Sequence, residues 1–294
     1  MTAAGTDPSA TTRQQRLGIR HRTGYRYAGD VVMSYNEARM TPLTTPWQTT
    51  LEARIEVAPS ATTYRYWDYW GTQVTGFDVR DPHDRLEVTA RSVVETHPAI
   101  TVTSEQTVAW SELGSAVVLD RFAELLAPTT RCAVGDEAVE LARVVVQGLD
   151  PVQAGRAVAE WLAELLDYVP GATGVHTSAM QAWQGGKGVC QDFAHIATGV
   201  LRRLGIPARY VSGYLLPLAD APVGEQVRGE SHAWIEWWSG DWQAWDPTNG
   251  RPAGADHVVV ARARDYDDVT PLKGIYSGPG GGELFVSVEF TRLA

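Results

Sequence analysis

With 294 residues, 44% of them hydrophobic, the chain can fill two ordinary globular cores, and its 11 Trp and 11 Tyr point to aromatic-rich sheets. A formal net charge of -10 and a pI near 5.2 argue against a nucleic-acid backbone or an anionic membrane as the main partner. No apolar run reaches the ~18 residues that a membrane-spanning helix needs.

Met1 to Arg16 is Ala, Thr, Ser and Gln without the apolar centre of a secretory signal, so residues 1–16 read as a flexible tail and the chain as cytoplasmic. In that compartment Cys132 and Cys190 stay reduced, although sequence alone leaves a disulfide between them open. The absence of Cys-x-x-Cys and His-Glu-x-x-His patterns gives a structural zinc site no support.

Residues 17–110 read as a β-rich domain. Ile19 to Tyr27, Leu51 to Val57, Val74 to Val79 and Leu86 to Val94 are short, Val-, Thr- and Tyr-rich runs divided by turn residues, the spacing of an antiparallel β-sandwich. Trp67 and Trp70 are expected in its core, and Asp68, His83 and His97 in turns or on the surface. From Trp110 the period lengthens to that of helices. Ser115 to Leu126 and Asp136 to Gln147 form a helical connector over residues 111–150, and Asp150-Pro151 caps a helix reaching Tyr168. A short helix opened by Thr177 or Ser178 ends near Trp183, after which Gly185, Gly186 and Gly188 let the backbone turn.

The next helix begins at Cys190 and stops at Gly205-Ile206-Pro207. A thiol at a helix N-terminus meets free amide donors and the positive end of the dipole, so it is expected to ionise below the free value of about 8.5. Cys190 shares one stripe with Phe193, Ala194, Ala197, Leu201 and Leu204, whereas Asp192 and His195 lie well round the helix. The base must therefore come from elsewhere, and a metal reading through Cys190, His195 and His232 fails on the same argument. Cys132, in a loop between Pro128 and Gly135, reads as an incidental small residue.

Ala208 to Leu215 reads as a strand, Ala219 to Gly229 as a loop, and Ser231 to Trp238 with Trp242 to Asp246 as a hairpin. If Trp238 pairs with Trp242, Asp246 becomes the diagonal neighbour of His232; a slip of one residue would put them on opposite faces. Thiol catalysis needs a thiolate, an imidazole to take its proton and an acceptor to orient the ring, and Cys190, His232 and Asp246 supply these types. Glu236, on the face of His232, is the lesser candidate for the orienting acid.

Gly188-Val189-Cys190-Gln191-Asp192-Phe193-Ala194, Ser231-His232-Ala233-Trp234-Ile235-Glu236 and Trp245-Asp246-Pro247-Thr248 resemble, in order, the three motifs of the bacterial transglutaminase-like superfamily, related to papain-type cysteine proteases. Residues 17 to about 95, with Tyr35-Asn36-Glu37-Ala38-Arg39-Met40-Thr41-Pro42 and Trp67-Asp68-Tyr69-Trp70-Gly71, resemble the β-rich region that often precedes this core in bacteria. The resemblance implies an α+β fold in which a Cys-bearing helix packs on an antiparallel sheet within residues 151–294. It implies Cys190 as nucleophile, His232 as base and Asp246 as orienting acid, and acyl chemistry on amide bonds without metal or cofactor. The Cys190 amide is expected in the oxyanion hole. Gln184, at the papain-like separation before Cys190, is a candidate second donor; Gln191 is adjacent to the nucleophile, and Trp183 and Trp234 are expected pocket walls. The leading expectation is hydrolysis of a protein or peptide substrate. The alternatives are transfer of a glutamine acyl group to an amine, and a non-catalytic binding module with a vestigial thiol site.

Overall fold

A computed structural model describes residues 14–98, 107–217 and 222–294. Six strands come first: β1 (Gln15–Val31), β2 (Met33–Ala38), β3 (Gln48–Ala58), β4 (Thr63–Trp67), β5 (Gln73–Val79) and β6 (His83–Thr96). Five helices follow: α1 (Trp110–Leu113), α2 (Ala116–Arg121), α3 (Ala123–Leu126), α4 (Asp136–Val145) and α5 (Pro151–Leu165). Then come β7 (Asp167–Tyr168), α6 (Ala179–Gly185), β8 (Lys187–Gly188) and α7 (Cys190–Arg203). The chain continues through β9 (Ala208–Leu215), β10 (Gln226–Trp238), β11 (Trp242–Asp246), β12 (Arg251–Pro252) and β13 (His257–Ala263). It closes with α8 (Tyr266–Val269), β14 (Leu272–Ser277) and β15 (Gly282–Arg292).

The β-rich region is a two-sheet sandwich. One layer holds β15, β1, β6 and β3 in spatial order, the other β14, β2, β5 and β4. Alternation along the strands sends Leu86, Val88 and Ala90 of β6 inward to meet Phe77 and Val79 of β5 and Ala38 and Met40 beside β2. Trp67 departs from expectation: at 63% exposure it lies on the surface, while Trp70 packs against the larger core. Two strands of the sandwich come from the far end of the chain. β14 pairs with β2, and β15 lies between β1 and β10, so residues 272–292 close the sandwich and join it to the sheet carrying the hairpin. Part of the expected 219–229 loop is also sheet, because Gln226 to Gly229 pair with β15.

Helix starts follow their caps. Asp150 and Gln153 form a reciprocal capping box at α5 with Pro151 in the first turn, and Ser178 with Gln181 does the same at α6. The helix expected over 115–126 divides at Phe122, whose ring packs tilted against Trp238, centroids 4.8 Å apart, and edge-on to Trp242 at 5.8 Å. The amphipathic expectation for α7 is also corrected, since Gln191 to Arg202 are all buried. Sheet strands β9 and β10 cover one side of α7, and α4, α5 and α6 cover the others. Arg202 is tolerated there because its guanidinium donates to the carbonyls of Ala127, Ala208 and Arg264.

Candidate active site

Cys190 opens α7 as expected, half-buried, with a first-turn amide that has no acceptor inside the helix. The approach is pinned on both sides. β7 runs parallel to β8, pairing Asp167 with Lys187 and Tyr168 with Gly188, and the Val169 amide donates to the Gly188 carbonyl at 3.0 Å. Asp192 reaches back from the first turn: its Oδ2 accepts the Val189 amide at 2.8 Å and the Thr173 hydroxyl at 2.5 Å. A Cβ on Gly188 would stand 2.7 Å from that carboxylate, so glycine is required there. Asp192 thus holds the backbone that leads into Cys190.

The hairpin adopts the register that brings His232 and Asp246 together: Trp238 faces Trp242 and Ile235 faces Trp245. His232 Nε2 lies 2.7 Å from Asp246 Oδ2, both side chains buried. His232 and Cys190 line the same cleft. Burial opposes a charged ring, but the hydrogen bond and charge of Asp246, joined by Cys190, push the His232 pKa up to about 10.

Asp246 is more heavily engaged than the sequence indicated. Its Oδ1 accepts the amides of Thr248 and Asn249 at 3.0 and 3.2 Å, and its Oδ2 accepts the Asn249 side-chain amide at 2.7 Å and faces His257 Nε2 at 3.1 Å. Burial favours protonation, yet the hydrogen bonds and charges of His232 and His257 hold the carboxyl well below its usual range. The Asn249 contacts belong to the turn begun by Asp246-Pro247 and were open to recognition as an Asx turn. His257 carried no local signal, because only the pairing of β13 with β9 delivers it behind Asp246.

Other residues singled out in the sequence stand elsewhere. Glu236 is a buried counter-ion, bonded to Arg209 at 2.6 Å and Arg262 at 2.9 Å, and is not turned to His232. His195 lies in the core, its Nε2 accepting the Tyr266 amide at 3.2 Å. Gln184 is exposed on α6 and does not line the cleft, because α6 ends at Gly186 before the chain turns into β8. Trp183 packs on Trp161 with centroids 5.6 Å apart and also lies outside the cleft. Trp234 is fully buried behind His232, with ring centroids 6.2 Å apart, and lines a rear cavity instead.

His232, Asp246 and His257 also bring potential metal-ligand atoms within 4.8 Å of one another. Tetrahedral ligands at zinc distances of about 2.0–2.1 Å would stand about 3.3 Å apart. The 2.7 Å His232–Asp246 contact, and the Asn249 amide on the same oxygen, instead fit hydrogen bonds.

The cleft over Cys190 has a volume of about 610 Å³, in the range of small-molecule and peptide sites. Val189, Gln191, Ser231 and His232 line one side; Thr23, Tyr25, Lys273, Leu284 and Val286 of the sandwich line the other. The rear cavity, about 460 Å³, lies beyond His232 and Asp246 and does not reach the thiol.

Residues 140–247 match the transglutaminase-like superfamily, and residues 17–95 match the bacterial transglutaminase-like N-terminal region. The uncharacterized protein ML0607 of Mycobacterium leprae is 48% identical over 279 residues, covering 95% of this chain and 99% of its own length. The uncharacterized protein Rv2569c of Mycobacterium tuberculosis is 30% identical over 295 residues, covering 93% of this chain and 92% of its own. Among solved structures, a Cytophaga hutchinsonii protein proposed to be a cysteine protease superposes with a TM-score of 0.75 at 22% identity, over 96% of this chain and 92% of that one. That likeness bears out the α+β fold.

Proposed function

The chain belongs to the transglutaminase-like superfamily, and from that premise we propose that it is a thiol-dependent amide or peptide hydrolase acting through an acyl-enzyme on Cys190. The observation that carries this reading is His232, which lines the same cleft as Cys190 while its Nε2 is bound to Asp246 at 2.7 Å. The Cys190 thiolate attacks the carboxamide carbon, and the C–S bond forms as the carbonyl π electrons move to oxygen. When the tetrahedral species collapses, the C–N bond breaks and His232 gives its proton to the leaving amine. Neutral His232 then takes a proton from water, whose oxygen attacks the thioester and releases the acid and the thiolate.

The developing oxyanion is met by the Cys190 amide at the start of α7.

The cleft wall from the β-sandwich suits a protein or peptide substrate that spans both halves of the molecule. Hydrolysis is preferred because water is always available. The test is mass spectrometry of the protein incubated with glutamine-containing peptides, with and without a primary amine. An acyl adduct on Cys190 that resolves to free acid supports hydrolysis, and a product carrying the amine would move the reading to acyl transfer. No adduct and no turnover would leave a binding module.

A further inference from the structure

Behind the triad carboxylate stands a second histidine. His257 opens β13 and is buried, its Nε2 3.1 Å from Asp246 Oδ2 and its Nδ1 2.8 Å from Asp256 Oδ1. An ionised carboxylate only accepts hydrogen bonds, so a ring set between two of them carries protons on both nitrogens. The Gly254 amide also points at Nδ1, from 3.2 Å, as it would toward a bare nitrogen. A bare nitrogen would, however, place its lone pair against the closer Asp256 oxygen, and the anion decides. Arg251 pairs with Asp256 and keeps it charged.

We propose that His257 is a positioning residue: a fixed cation that orients the Asp246 carboxylate and limits how tightly His232 holds its proton. This inference rests on reading Cys190, His232 and Asp246 as a catalytic triad. A buried carboxylate with one imidazolium partner binds that partner's proton strongly, and a proton held too tightly is delivered poorly to a leaving amine. The His232 and His257 ring centroids are 6.1 Å apart, close enough for like charges to oppose each other in a buried site. The charged groups about His257 are Asp246 from β11, Asp256 beside it in the chain, Arg251 from β12 and His232 from β10; His97, Arg156, Arg209, Glu236, Asp241 and Arg262 share the rear cavity that its ring borders.

The test is histidine NMR on the full chain. In the parent at about pH 7, well clear of ordinary carboxylate titration, nitrogen shifts of His257 should report protons on both ring nitrogens; a bare nitrogen would overturn the proposal. A Cys190→Ala background removes the thiol's contribution and leaves His232 to titrate against Asp246 and His257. There His257→Gln, which keeps an N–H for Asp246 but removes the charge, should raise the His232 midpoint by about one pH unit. Asp256→Asn, which weakens the hold on the second proton, should move it in the same direction and less. A His232 midpoint unmoved in the folded variants would refute the idea, and Asp256→Asn or the parent spectrum decides if His257→Gln does not fold. Failure of the triad reading would appear separately, as a parent Cys190 inert to iodoacetamide.

Discussion

Buried histidines give this protein opposite responses to acid and base. Burial lowers His21 to about 4, and burial with the nearby Arg131 charge lowers His195 to about 3. Unfolded histidine titrates at about 6.5, so below that pH the unfolded chain binds protons that the native rings refuse, and stability falls until the native rings titrate. His232 acts in the reverse sense: raised to about 10, it contributes fully below about 6.5 and loses its contribution as pH rises through about 10. Urea midpoints should therefore decline between about pH 6.5 and 4, and His195→Gln should flatten that decline. An unchanged slope in the variant would remove His195 from the account. The grouping of His232 with Asp246 was legible because the hairpin register ties them, and the place of Cys190 was legible from the glycine-preceded helix start. His257 was not, since its place behind Asp246 depends on sheet order and on no spacing within its own segment.

At the scale of elements, α7 carries the site and its packing tolerates little change. Gly199 faces the Cys132 segment so closely that a Cβ would lie 1.9 Å from the Cys132 carbonyl oxygen, whereas one on Gly185 would meet nothing within 4 Å. Gly199→Ala should cost about 1–3 kcal/mol or more by overpacking, read from the urea midpoint, with Gly185→Ala close to the parent. Equal midpoints would mean that the Cys132 loop yields freely. Helix starts and the hairpin register were readable because each is set by local chemistry: Asp150 before Pro151, Trp238 opposite Trp242. Burial of α7 on every side was not, because small and polar residues such as Gly199, Thr198 and Asp192 imitate a solvent face when they serve close packing and capping. Gln184 misled for a related reason, since a separation along a glycine-rich loop does not fix a direction in space.

The whole molecule is joined by its last strands. β15 lies between β1 and β10, and β14 completes the second sheet of the sandwich, so both halves share a sheet and both line the cleft. Removal of residues 272–294 would strip a central strand from that sheet, and the truncated chain should lose its cooperative transition. The full chain should unfold once, with far-ultraviolet dichroism and Trp fluorescence coincident, while two separated transitions would mean that the halves are independent. The long-range return of the chain was hidden in the sequence, where residues 272–292 read as the tail of the core and carry no mark of their partners. The central claim concerns the thiol, and the most direct measurement is the rate at which iodoacetamide alkylates Cys190 across about pH 4 to 9, compared with His232→Ala. A Cys190–His232 ion pair predicts a reactive plateau extending below about pH 7 that disappears in the variant. A single rise at the ordinary thiol value of about 8.5, the same in both proteins, would contradict it.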